Sequence, residues 1–242
     1  MIIAYFFITF FAFWLFFRKI LYYIDNTLIK IAFIFFVSTY ISVFAVFLIS
    51  TFLSFFTSHL LFKSVYIYLF FLLFFLYVKR KSLKKLIFKV PYYARDMGRV
   101  RGISIFCIFI IMYIFFSRHL TVNGGKVFTS YIYWDFHYHI ALIESFVRGD
   151  NFPPEIESIS GVYNVYHFFW AFIPGIFQVL GLHATSAITL YSALFFTLII
   201  ITAYGFMETY GFSKISYILL PIFLVSHGSL KIVDNIKNVM NS

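Results

Sequence analysis

Asp135, His137 and His139 stand at alternate positions, and one acid with two imidazoles at that spacing has two chemistries open to it. On a strand the three side chains would share a face and could hold a metal ion. On a helix His137 turns away and leaves Asp135 and His139 paired four residues apart. The flanking residues favour the helix. Asp135 is placed to cap a helix running from Phe136 to Arg148, and Gly149 is placed to stop it. A three-ligand metal site is therefore not expected, and no cofactor can be assigned. At 100° per residue Phe136, Ile140, Ile143 and Val147 form one apolar stripe, which predicts an amphipathic helix lying on a membrane surface. Asp135 and His139 fall on one flank of that stripe, and His137, Glu144 and Arg148 on the other. The chain then turns at Gly149-Asp150-Asn151-Phe152-Pro153-Pro154, where the prolines exclude helix. It returns through Tyr163, Tyr166 and His167 to Phe168, Phe169 and Trp170.

Each of these residues also has a structural reading. Asp135 can be only an N-cap, and Glu144 with Arg148 only a surface pair at helical spacing. Tyr166 and His167 can belong to the aromatic belt that membrane proteins carry at the lipid boundary.

Composition decides what positions this stretch. Of 242 residues 62% are hydrophobic and 12% charged, and uncharged runs such as Ile31 to Phe62 are apolar on every face. A β-barrel needs segments of about ten residues alternating apolar and polar. The expected fold class is therefore all-α, a polytopic helical membrane protein of about seven transmembrane helices, with one large outer loop carrying the amphipathic helix. Phe, Tyr, Ile and Lys are abundant together, as an AT-rich genome produces, so the 25% aromatic content is weak evidence for a stacked cofactor. Cys107, the single cysteine, can form no internal disulfide.

Charge distribution orients the spans. Lys79, Arg80, Lys81, Lys84, Lys85, Lys89, Arg95, Arg99 and Arg101 face the single acid Asp96 over that stretch. Beside a spanning helix such a run marks the cytoplasmic side and attracts anionic lipid heads, so the net charge of +10 does not imply a nucleic-acid partner. Spans are expected near Ile3–Phe17, Ile31–Leu53, Leu60–Val78, Ile103–Phe116, Tyr166–Leu182, Ala187–Phe206 and Tyr217–Leu230. Alternation then puts Arg18, Lys19, Lys30, Lys231 and Lys237 inside, and residues 117–165 outside. The apolar run from Ile31 to Phe62 is too long for one crossing, so it is read as a hairpin with its tip at Ser54 to His59. Lys63 reaches up to that interface, and His59 is interfacial. Two regions result, 1–101 with the basic loop 79–101 and 102–242 with the outer loop 117–165, within one membrane domain. The cell membrane is the expected location.

An acid opening the outer loop, a His four residues on, a short helix ending in Gly, a Pro-containing turn and a Tyr166-His167-aromatic entry to the next span resemble the GT-C type membrane glycosyltransferases. These include oligosaccharyltransferase catalytic subunits, protein O-mannosyltransferases and aminoarabinose transferases. The run from Gly149 to Pro154, with Gly161 and Tyr166-His167-Phe168-Phe169, is similar to archaeal and bacterial multi-pass relatives of that superfamily, over about residues 125–230. The resemblance implies transfer of a sugar from a polyprenyl-phosphate donor to an acceptor at the outer face. It makes Asp135 the general base, with His139 beside it, and Arg148, Tyr166 and His167 the substrate-binding candidates. In that superfamily the acid commonly follows the first span and further spans come after the seventh, so a truncated or split relative is expected here, with a second membrane subunit as a partner.

Two other classes compete. A transporter would keep ionisable residues in mid-membrane, and the expected spans hold almost none beyond His227 and Lys63. A non-catalytic integral membrane subunit fits the composition equally well.

Overall fold

A computed structural model describes residues 1–87, 99–118, 120–123, 126–129, 136–148, 150–152, 154–156, 159–163, 169–213 and 215–216. Helix α1 (Ile2–Phe16) leads through the short α2 (Arg18–Tyr22) into α3 (Thr27–Leu53) and α4 (Leu60–Val78), and residues 80–87 are again helical. Then come α5 (Arg99–Arg118), strands β1 (Leu120–Asn123) and β2 (Lys126–Thr129), and α6 (Phe136–Arg148). Strands β3 (Glu155–Ile156) and β4 (Ile159–Tyr163), α7 (Phe169–Val179) and α8 (Ala184–Thr209) complete the order. Among the described residues the fold is helical apart from two antiparallel hairpins, β1–β2 and β3–β4, which all-α patterning did not anticipate.

Among the described residues three helices, α3, α4 and α8, are long and apolar enough to cross a membrane. The 27 residues of α3 rise about 40 Å at 1.5 Å each, against a hydrocarbon core of about 30 Å. Its break from α4 falls at Ser54 to His59, where the length of the apolar run required a tip, and the Lys63 ammonium bonds back to Thr57 in that tip. Rings on the outside of α4, including Phe70 (65% exposed) and Phe74 (59%), leave a broad apolar face that lipid would solvate.

Small polar residues join the long helices. Ser42 shares a 2.6 Å hydrogen bond with the Tyr68 hydroxyl, and Ser50 Oγ donates to Ser64 Oγ at 2.8 Å, both fully inside the α3–α4 contact. In hydrocarbon such pairs satisfy groups that water cannot reach. At the start of α3, Asn26 caps the helix by accepting from the Leu28 and Ile29 N–H groups. Its amide also donates to the Gly205 carbonyl and the Glu208 carboxylate of α8. Gly205 makes this approach possible, because a Cβ there would come within 2.5 Å of Ile29 Cγ1. The main core draws on residues from Tyr5 to Leu86 and from Leu142 to Ala187, so the N-terminal and C-terminal regions share one interior.

The Asn26–Glu208 contact fixes a direction that alternation of spans reads in reverse. Phe195 of α8 packs on Phe36 and Tyr40 of α3, and Glu208 meets Asn26, so α8 runs antiparallel to α3 and ends beside Lys30. Alternation from seven spans instead starts α8 at that end. The cause is α7. It has 11 described residues, about 16 Å, roughly half of a crossing. Its neighbours are Phe47 near the end of α3, Leu61 at the start of α4 and Phe6 at the start of α1, all at one end of the bundle. Helix α7 is thus lodged across that end. A Schellman turn then leads into α8: Gly181 at φ 107°, its N–H on the Gln178 carbonyl and the Leu182 N–H on the Phe177 carbonyl. The expected span at 217–230, with Lys231 and Lys237, lies outside the described residues.

Candidate functional site

Helix α6 has the bounds that Asp135 and Gly149 predict, but a different face is covered. Leu142, Ile143 and Phe146 are buried, Ile140 and Val147 only partly so, and Ala141 and Arg148 are exposed. The covered stripe is centred near Phe146 and His139, rotated from the one the apolar residues alone suggest. It is covered by protein. The Phe146 ring packs at 4.5 Å, tilted, against Phe172 of α7, and Phe152 closes a three-ring cluster with both. A Cβ on Gly175 of α7 would meet Leu61 of α4 at 3.2 Å and Val147 of α6 at 3.7 Å, so three helices converge there. The expected surface-lying helix is instead docked on the end of the bundle.

A carboxylate that sequence reading did not single out secures this docking. Asp150 accepts from the N–H groups of His59 and Leu60 at 2.7 Å each, through separate oxygens. These are orphan donors at the start of α4, and a carboxylate there also meets the positive end of the helix dipole. Both partners have left-handed backbones, His59 at φ 58° and Asp150 at φ 51°. Next to it Asn151 donates to Ser145 Oγ and to the Glu155 carbonyl, and its Oδ1 accepts from the Glu155 N–H. The turn from 150 to 155 thereby ties the end of α6, the start of β3 and the start of α4 together.

His139 sits on the covered side of α6. Its ring meets Trp170 edge to face at 4.4 Å, and Nδ1 is closed off from solvent. Arg148 is on the open side, its side chain 77% exposed, with Nε 2.9 Å from Glu144. Glu144 Oε1 also accepts from Gln178 of α7 at 2.8 Å. His139 and Arg148 are nine positions apart, about 13 Å of rise and about two and a half turns of helix, so α6 sends them to opposite sides. Asp135, Tyr166 and His167 lie outside the described residues. Among the described residues no three His, Cys, Asp or Glu side chains converge as a metal site would require.

Asp150, Asn151, Trp170 and Gln178 are thus the residues that hold the site's frame. Gly149-Asp150-Asn151 signals a turn in the sequence, but nothing local links Asp150 to a helix start 90 positions earlier.

These features define a helical protein with helices long and apolar enough to cross a membrane and a polar loop folded onto one end of its bundle. No family model, curated protein or solved structure matches the chain.

Proposed function

We propose that this chain is a multi-pass protein of the cell membrane, of the GT-C glycosyltransferase type, that moves a sugar from a polyprenyl-phosphate donor to an acceptor at the face carrying α6. The observation that carries the reading is the setting of α6. It is fixed at the end of the bundle away from Arg18, Lys30 and Lys85, with His139, four positions after Asp135 in the sequence, turned inward. In this reading Asp135 takes the proton of the acceptor hydroxyl. The acceptor oxygen bonds to the sugar's anomeric carbon, and the carbon–oxygen bond to phosphate breaks with its electron pair on the phosphate. His139 orients the carboxylate or shares its proton, and Arg148, Tyr166 and His167 supply contacts to donor and acceptor.

Purified protein in liposomes, given a radiolabelled polyprenyl-phosphate sugar and a hydroxyl acceptor, tests this. Asp135→Asn lowers transfer by roughly 10²- to 10⁴-fold; unchanged transfer refutes the role. A second reading, a non-catalytic membrane subunit, has one observation in its favour. Asp150 and Glu144 are engaged in bonds that hold the loop together, as a scaffold would use them. Wild-type protein that binds no donor but co-purifies with a second membrane chain supports that reading over the enzyme.

A further inference from the structure

At the end of the bundle opposite to α6 the structure holds a cavity of about 460 Å³, lined by Arg18, Lys30 and Lys85 together with Ser82, Trp14 and Tyr22. The three cations come from α2, α3 and the helical segment after α4, so only the fold assembles them. Bringing like charges around one hollow is unfavourable unless an anion sits among them. Among the described residues no carboxylate is ion-paired with any of the three. Ser82 and Tyr22 add hydroxyls to the rim, while Trp14, Leu15, Leu21 and Leu86 are buried apolar walls. Positive and hydroxyl-bearing at its mouth and apolar along its side, the cavity matches an amphiphile with a phosphate head.

We propose that this cavity is a binding site for the phosphate of an anionic lipid headgroup, whose acyl chains lie along α1. A site of this kind differs from the diffuse attraction that the run from Lys79 to Arg101 exerts on any anionic surface. Diffuse attraction depends on how many charges are removed. A built site depends on which ones, and on the space between them. The proposal is independent of the sugar-transfer reading, since it concerns the other end of the bundle.

The test is lipid binding to the purified full chain by native mass spectrometry, in phosphatidylcholine nanodiscs titrated with phosphatidylglycerol. Removing the three cavity charges together, Arg18→Gln, Lys30→Gln and Lys85→Gln, lowers phosphatidylglycerol affinity by roughly a hundredfold, at about fivefold per cation. Removing three exposed charges beside it, Lys79→Gln, Lys81→Gln and Lys84→Gln, lowers it by less than about fivefold. Equal losses from the two triple variants overturn the proposal in favour of diffuse attraction. Because the cavity triple can perturb folding, Ser82→Phe provides a second arm. It keeps every charge, fills the hollow and lowers affinity by about tenfold; undiminished binding in this variant also overturns the proposal. Inorganic phosphate at millimolar concentration fails to displace the lipid. Binding of phosphate alone, with no preference for phosphatidylglycerol over phosphatidylcholine, assigns the site to a free anion and overturns the lipid source.

Discussion

At one end of the bundle Arg18, Lys30 and Lys85 surround a hollow with no described carboxylate paired to them, whereas at the other end Asp150 and Glu144 are each held by two partners. The first arrangement leaves charge available to something from outside the chain. The second uses charge internally, to fasten a loop. Conspicuous polar residues therefore divide into those that hold structure and those left open, and sequence spacing alone does not sort them. At the α6 end Asp150 and Glu144 are both taken up in holding the loop to α4 and α7.

The contrast can be broken at either end. The largest effect on stability is expected from Phe146→Ala. It removes a fully buried ring from the cluster with Phe152 and Phe172 and costs about 3–5 kcal/mol, read as loss of cooperative unfolding in detergent and detachment of α6. Asp150→Ala follows at about 2 kcal/mol, because two N–H groups at the start of α4 lose their cap. Asp150→Asn keeps part of that, so its melting temperature lies between wild type and Asp150→Ala. At the basic end Gly205→Ala forces Ile29 aside and strains the Asn26 cap, costing about 1–3 kcal/mol by thermal unfolding. Ser50→Ala is smaller, about 0.6–1.7 kcal/mol, since one interhelical hydrogen bond is lost inside hydrocarbon. Arg148→Ala is smallest, within about 0.5 kcal/mol, because the Arg148 side chain is largely in solvent and Glu144 keeps its bond from Gln178. A large loss of stability from Arg148→Ala, or none from Asp150→Ala, would remove the distinction between the two kinds of charge at that end.

What the sequence discloses follows from which constraints are local. The tip at Ser54 to His59 is legible because 32 apolar residues exceed one bilayer, and the bounds of α6 are legible because Asp135 and Gly149 flank an apolar period. The role of α7 is not legible from composition. A short apolar run reads alike whether lipid or protein surrounds it, and here Ala171 to Phe177 are buried in protein. The same ambiguity turned the stripe of α6, since Leu142 and Phe146 are as apolar as the Phe136 and Ile140 favoured for it. The Asp150 cap and the Asn26–Glu208 contact bridge 90 and 182 positions, and no spacing rule reaches that far.

The central claim is that the basic end and the α6 end face opposite sides of one membrane, with α8 returning to the basic end. Single cysteines at Lys84, Arg148 and Tyr210, each in a Cys107→Ala background and labelled with an impermeant maleimide in sealed vesicles of known orientation, test it directly. All three positions are exposed. Positions 84 and 210 should label from the same side and position 148 from the other. Labelling of 84 and 148 from one side, or of 210 together with 148, would contradict the account.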